Sequence, residues 1–318
     1  MAKLGEGGFG TVWAARSSLG DVVALKLCPA RNRMVNRLLS QELEQSHRAS
    51  DLLRPHGLTP FLFETLEWTR GHQRFFIAVM EWIDGVTVEQ LMMAKERQQE
   101  KLRAPEYSLI LRDTTIALDY LHTADPPFLH RDIKLPNVMV SWEGRVVLCD
   151  FGVSRGLERG AVADTVCGTA NSMAPEMLAG KGYGTAADIW MLGVMAYEMV
   201  AGESFRMERE TGSIVQQLKH MQDGLLSDSP EPTRAFVSQC LQIKPDTRPT
   251  ASQLLDSAFF RSETHWQAER KMLGEACEAA LEEEEAADGD RQCEATRVVG
   301  GEAGAGQCVT TLMVVEED

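Results

Sequence analysis

The chain is 318 residues long, with 44% hydrophobic, 25% charged and 7% aromatic residues and a formal net charge of −15. That length carries one large or two ordinary hydrophobic cores, and the apolar fraction excludes a chain disordered throughout. No apolar run reaches the ~18 residues that a bilayer-spanning helix needs, residues 191–197 being the strongest, and no basic start with an apolar stretch after it suggests a secretory leader.

In chain order, residues 11–15 and 22–27 read as strands around a polar turn at 17–21, and 35–54 as a helix. Residues 61–68 and 75–80 resemble a hairpin turning at 70–73. From Asp84 onward the pattern is mainly helical, with segments at 88–101, 107–122, 187–201, 214–223 and 231–241. A sheet-rich first part followed by a helix-rich second part predicts an α+β fold of two lobes. Residues 262–287 read as a helical extension with an apolar stripe at Trp266, Leu273, Cys277, Ala280 and Leu281. From residue 262 to the end stand 15 acidic and 4 basic residues, so 11 of the 15 net negative charges lie there. Residues 288–318, acidic and Gly-rich, read as a disordered tail. An acidic chain of this kind is not expected to bind nucleic acid, because phosphate contacts need clustered Lys and Arg. Nor is a membrane partner expected. The seven cysteines, without CxxC pairs, read as reduced thiols in a cytoplasmic protein, a nuclear one being equally compatible.

Four motifs carry chemistry. Gly5-Glu6-Gly7-Gly8-Phe9-Gly10 lets backbone N–H groups approach phosphates closely, since no Cβ intervenes. The dinucleotide fingerprint shares this spacing, but it needs a strand before the glycines and a helix opening at them. Here β-type residues Thr11, Val12 and Trp13 follow instead, so the dinucleotide reading is the minor one. Val23-Ala24-Leu25-Lys26 is a strand ending in a lysine. It either snorkels at an edge or, sixteen residues after Gly10, reaches nucleotide phosphates with Glu42 or Glu44 to steady it. His130-Arg131-Asp132-Ile133-Lys134-Leu135-Pro136-Asn137 places an acidic base, a cation and an amide oxygen within a few residues. Asp150-Phe151-Gly152 puts a carboxylate just after the strand 146–148. A carboxylate and an amide oxygen facing the same phosphates suit Mg²⁺, a hard cation.

In this order and spacing the motifs resemble the catalytic domain of the eukaryotic protein kinases, specifically the serine/threonine kinases, over about residues 3–261. Ala174-Pro175-Glu176, Asp188-Ile189-Trp190 and Arg248 extend the resemblance. It implies a bilobal fold with a small lobe over 1–80, a hinge at 81–85 and a larger helical lobe over 86–261. It also implies ATP as phosphoryl donor, Mg²⁺ as cofactor, protein Ser/Thr hydroxyls as acceptors and an upstream activating kinase. In that family Gly5, Gly7 and Gly10 would cover the phosphates, while Leu4, Val12, Ala24 and Met139 sandwich adenine. Met80 would be the gatekeeper, with Glu81 to Ile83 as the hinge. Lys26 would bind the α- and β-phosphates, Asp132 would accept the substrate proton, Lys134 would neutralise the transferred group, and Asn137 and Asp150 would hold the metal. Glu176 would pair with Arg248, and Asp188 would hold the loop at His130.

Lys134 and Gly168-Thr169 match the serine/threonine pattern, with the Thr169 hydroxyl reaching Asp132 and Lys134. Arg131, beside Asp132, implies a phosphate acceptor on the activation segment, and Thr165 stands where many such kinases carry one. Three features depart from the family. The opening strand normally begins several residues earlier in the family, so a clipped first strand and a less stable glycine loop are expected. Polar Ser46 stands where a bulky apolar residue is preferred, and Pro136 replaces an acid that reads substrate arginine. The rival reading is a nucleotide-binding scaffold without turnover, which the joint presence of Lys26, Asp132, Asn137 and Asp150 argues against.

Overall fold

The computed structural model describes residues 2–7, 10–17, 20–30, 33–151, 172–205, 216, 218, 224, 226, 228–261 and 266–287. Five strands open the chain around one helix: β1 (Ala2–Gly7), β2 (Gly10–Arg16), β3 (Val22–Pro29), α1 (Arg33–Leu53), β4 (Leu62–Arg70) and β5 (Gln73–Glu81). They form an antiparallel sheet in the order β1-β2-β3-β5-β4. Its register decides what faces what. Ala14 pairs with Ala24 and Ala24 with Met80, while Val12 pairs with Lys26 and Lys26 with Ala78. Cross-strand partners share a face and side chains alternate along a strand, so Val12, Ala24, Lys26 and Met80 lie on one side of the sheet. Val23 and Leu25 lie on the other, buried with Ala15, Ile77 and Val79 in the small lobe's own core.

The chain leaves β5 through 82–84 and enters a second, three-stranded sheet: β6 (Gly85–Thr87), β7 (Val138–Ser141) and β8 (Val146–Leu148), with β7 in the middle. Between β6 and β7 run α2 (Val88–Arg97) and α3 (Ala104–Thr123). The Thr87 side chain caps α2 by accepting from Gln90 N, and Gln90 returns the contact to the Thr87 N–H. The helix expected over 88–101 ends at Arg97. Gln99 turns left-handed at φ 57° and Glu100 N–H closes on Lys95 O at 2.8 Å, a reversal usually signalled by a glycine that this sequence lacks.

The larger lobe continues through α4 (Pro175–Leu178), α5 (Ala186–Ala201), α6 (Glu231–Cys240), α7 (Ala251–Leu255) and α8 (Ala258–Arg261) to α9 (Trp266–Ala287). Its core is built on α3 and α5, with Leu109, Leu118, Leu121, Trp190 and Leu192 all without exposure. The apolar run at 191–197 is therefore the centre of a buried core helix; none of the described helices is long and apolar enough to cross a membrane. The helix expected at 214–223 falls, apart from Gln216 and Leu218, outside the described residues. So does the tail at 288–318.

Candidate active site

The loop from His130 to Asn137 is held from beneath by a buried carboxylate. Asp188, in the first turn of α5, accepts from His130 N (2.9 Å) and Arg131 N (2.7 Å), and contacts His122 Nε2 (2.9 Å). Burial pushes the Asp188 carboxyl up, but the His122 hydrogen bond and charge, the His130 charge and the Arg131 amide outweigh it and hold the group below its usual range. His130 is fully buried, which lowers its pKa and keeps the ring neutral. Its Nδ1 accepts from Asp132 N (3.3 Å), so the network assigns the proton to Nε2, which donates to Cys149 O (3.1 Å). The Phe151 ring stands edge-on to His130, with centroids 4.9 Å apart. Arg131 and Asp150 both sit at positive φ, 70° and 61°, conformations that non-glycine residues hold only where surrounding structure enforces them.

On this platform three polar side chains converge. Asp132 Oδ2 accepts from Lys134 Nζ (2.8 Å) and from Asn137 Nδ2 (2.7 Å), and Asn137 Nδ2 also donates to Asp132 O (2.8 Å). Asp132 Oδ1 has no hydrogen-bond partner among the described residues. Asn137 O accepts from Cys149 N (2.8 Å), which ties this loop to the end of β8 and so to Asp150. Across the cleft Lys26 Nζ donates to Asp150 Oδ1 at 2.7 Å. Burial pushes the neighbouring Cys149 thiol up to about 12, so it stays protonated.

The other expected residues fall as follows. Gly5 and Gly7 lie in β1 and Gly10 opens β2, with Gly7 paired to Gly10. Leu4 sits in the register shift between Lys3 and Gly5 and is 47% exposed. Met139, half-buried in β7, pairs with Thr87 and Val147. Ile83 is buried in the segment after β5. Glu44 is exposed on α1; the Glu42 side chain, Thr165 and Thr169 lie outside the described residues. Arg248 grips Glu176 with two hydrogen bonds of 2.7 and 2.8 Å, both residues being buried.

Sequence reasoning missed two partners. His122 completes the Asp188 contacts from the end of α3. Glu81 Oε2 accepts from Phe61 N (2.9 Å) and Oε1 from Arg145 Nη1 (2.9 Å), so its side chain clasps the segment after β5 to the turn before β8. Neither His122 nor Arg145 belongs to a local motif, and only the fold brings them near.

A sequence model of the protein kinase domain matches residues 1–260. The chain belongs to the protein kinase family. The serine/threonine-protein kinase sid1 of Schizosaccharomyces pombe is 33% identical over 270 residues, 82% of this chain and 53% of that protein. The serine/threonine-protein kinase hippo of Drosophila melanogaster is 31% identical over 296 residues, 91% of this chain and 41% of its own. The chain thus spans about half the length of the curated relatives it matches. The family implies ATP and a divalent metal, and the donor set of this kinase domain fits one. Asn137 commits its amide nitrogen to Asp132, which leaves Oδ1 as an oxygen donor, and Asp150 offers a carboxylate; two oxygens of this kind suit Mg²⁺.

Proposed function

We propose that this kinase domain transfers the γ-phosphoryl group of ATP to serine and threonine hydroxyls of proteins. The observation that carries the reading is the set of contacts joining Asp132, Lys134 and Asn137 within 2.8 Å, together with Lys26 on Asp150. Asp132 Oδ1 is placed to receive the hydroxyl proton while Oδ2 stays anchored. Lys134 supplies positive charge beside the same carboxylate, where charge on the transferred group develops. Lys26 orients the donor phosphates from the rigid β3, and Val12, Ala24 and Met80 form the adenine-facing side of the sheet, closed from the other lobe by Met139. Bound at Asn137 and Asp150, Mg²⁺ supplies charge neutralisation along the phosphates. Positioning and electrostatics of this kind supply most of the acceleration in phosphoryl transfer. A nucleotide-binding scaffold without turnover would need Lys26 and Asp150 but not the contacts of Asp132 with Lys134.

Incubation with radiolabelled ATP and a generic protein acceptor, followed by acid hydrolysis, should give labelled phosphoserine and phosphothreonine. Label confined to phosphotyrosine, or equal label from the wild type and Asp132→Ala, would sink the reading.

Activation is read from Arg131. Its Nε and Nη1 are buried without hydrogen-bond partners among the described residues, and its guanidinium lies 5.5 Å from the Tyr183 ring centroid. An unsatisfied buried cation beside the catalytic loop favours an incoming anion, and phosphorylated Thr165 is our candidate for it. Phosphatase treatment should lower wild-type activity to that of Thr165→Ala; a Thr165→Ala protein as active as the untreated wild type would exclude this residue.

A further inference from the structure

The matched kinase domain ends at residue 260, yet α9, beyond it, is seated on the hairpin that carries Met139 and leads into Asp150. Three contacts from three successive turns of α9 meet the chain between β7 and β8 or β7 itself. Arg270 Nη1 donates to Gly144 O (3.1 Å). A Cβ on Gly274 would stand 2.0 Å from Trp142 O, and one on Gly144 would stand 1.9 Å from Arg270 O, so both glycines are required for the approach. Cys277 Sγ donates to Val140 O (3.0 Å). The helix is fixed from the side as well, by Arg270 Nη2 on Asp113 Oδ2 (2.6 Å) and by the Arg112 guanidinium over Trp266 (4.7 Å). Leu273 and Cys277 are fully buried and Ala280 nearly so.

We infer that α9 is a positioning element for nucleotide binding, with Arg270 as its main contact. The hairpin it braces holds Met139 on β7, which on the nucleotide reading lies against adenine, and β8 runs directly into Cys149 and Asp150. Its turn is also joined to the hinge, because Arg145 Nη1 holds Glu81. A shift of the hairpin therefore moves the floor of the adenine site, one metal-binding carboxylate and the hinge contact together. Arg270 touches no reacting atom; it acts through Gly144. This inference rests on the nucleotide reading of Met139 and Asp150.

Arg270→Met should raise the KM for ATP about tenfold, the scale of one well-placed charged hydrogen bond, with kcat and the KM for the protein acceptor within about twofold of wild type. Arg270→Lys keeps the charge without the two-pronged contact and should recover part of the loss. A KM for ATP unchanged in Arg270→Met, whatever happens to its melting temperature, would reduce α9 to a structural support. The unmodified chain gives a second readout that needs no folded variant. Saturating ADP and Mg²⁺ should slow amide hydrogen exchange in residues 138–148 and in 270–280 together. Protection of the hairpin without α9 overturns this inference alone, whereas no protection at the hairpin overturns the nucleotide reading and this inference with it.

Discussion

Replacing Asp132 by asparagine should lower kcat about 10³-fold and leave the KM for ATP within about twofold, a loss typical of a missing general base. The substitution preserves the shape of the side chain, and its amide oxygen can still accept from Lys134 and the Asn137 amide, as Asp132 Oδ2 does at 2.8 and 2.7 Å. What disappears is the negative charge and the basic oxygen proposed to receive the proton from the attacking hydroxyl. Nucleotide binding should survive because Lys26 and Asp150 pair with each other across the cleft, at 2.7 Å, rather than with Asp132. The stability of the loop should survive too, since His130 N and Arg131 N are held by Asp188. Steady-state kinetics beside a thermal melt separates these effects. A kcat within about tenfold of wild type would show that Asp132 is not the base. A matching rise in the KM for ATP would show that the loop, and not the chemistry, had been damaged.

Much of this geometry was legible in the sequence because it is local. Alternation along Val23-Ala24-Leu25-Lys26 already puts Lys26 and Ala24 on one face, and the structure only adds that Val12 and Met80 join them through the register. The His130–Asn137 turn closes on itself, so spacing alone brings Asp132, Lys134 and Asn137 together. The contacts that the sequence hid are those whose partners are far apart in the chain and have no fixed spacing. His122 reaches Asp188 across 66 positions, Arg145 reaches Glu81 across 64, and Arg270 reaches Asp113 across 157. Helix α1 shows the same divide. Its existence followed from periodicity, but its anchoring did not: Arg48 Nη2 donates to Pro126 O and the guanidinium lies 5.5 Å from the Phe128 ring centroid. Phe128 in turn stands 6.0 Å from Phe151. Two residues after the polar Ser46, Arg48 thus ties α1 to the segment just before the catalytic loop.

The buried pair of Glu176 and Arg248 should dominate the stability of the larger lobe. Arg248 makes five hydrogen bonds: two to the Glu176 carboxylate and one each to the carbonyls of Ala186, Gln242 and Ile243. Its guanidinium also lies 5.1 Å from the Trp190 ring centroid in the centre of the core. Arg248→Met fills similar volume but leaves a buried carboxylate without a cation and three carbonyls without donors. Removing one partner of a buried pair costs about 3–5 kcal/mol, which for a lobe of this size lowers the melting temperature by roughly 10 °C. Adding Glu176→Gln to Arg248→Met should return part of that loss, because the uncompensated charge is gone, and the size of the return measures the coupling. Function should fall with it, since Arg248 also donates to Ala186 O in the first turn of α5, the turn that carries Asp188. A melting temperature within about 3 °C of wild type for Arg248→Met would mean that water reaches the site and replaces the guanidinium's contacts with Glu176 and the three carbonyls.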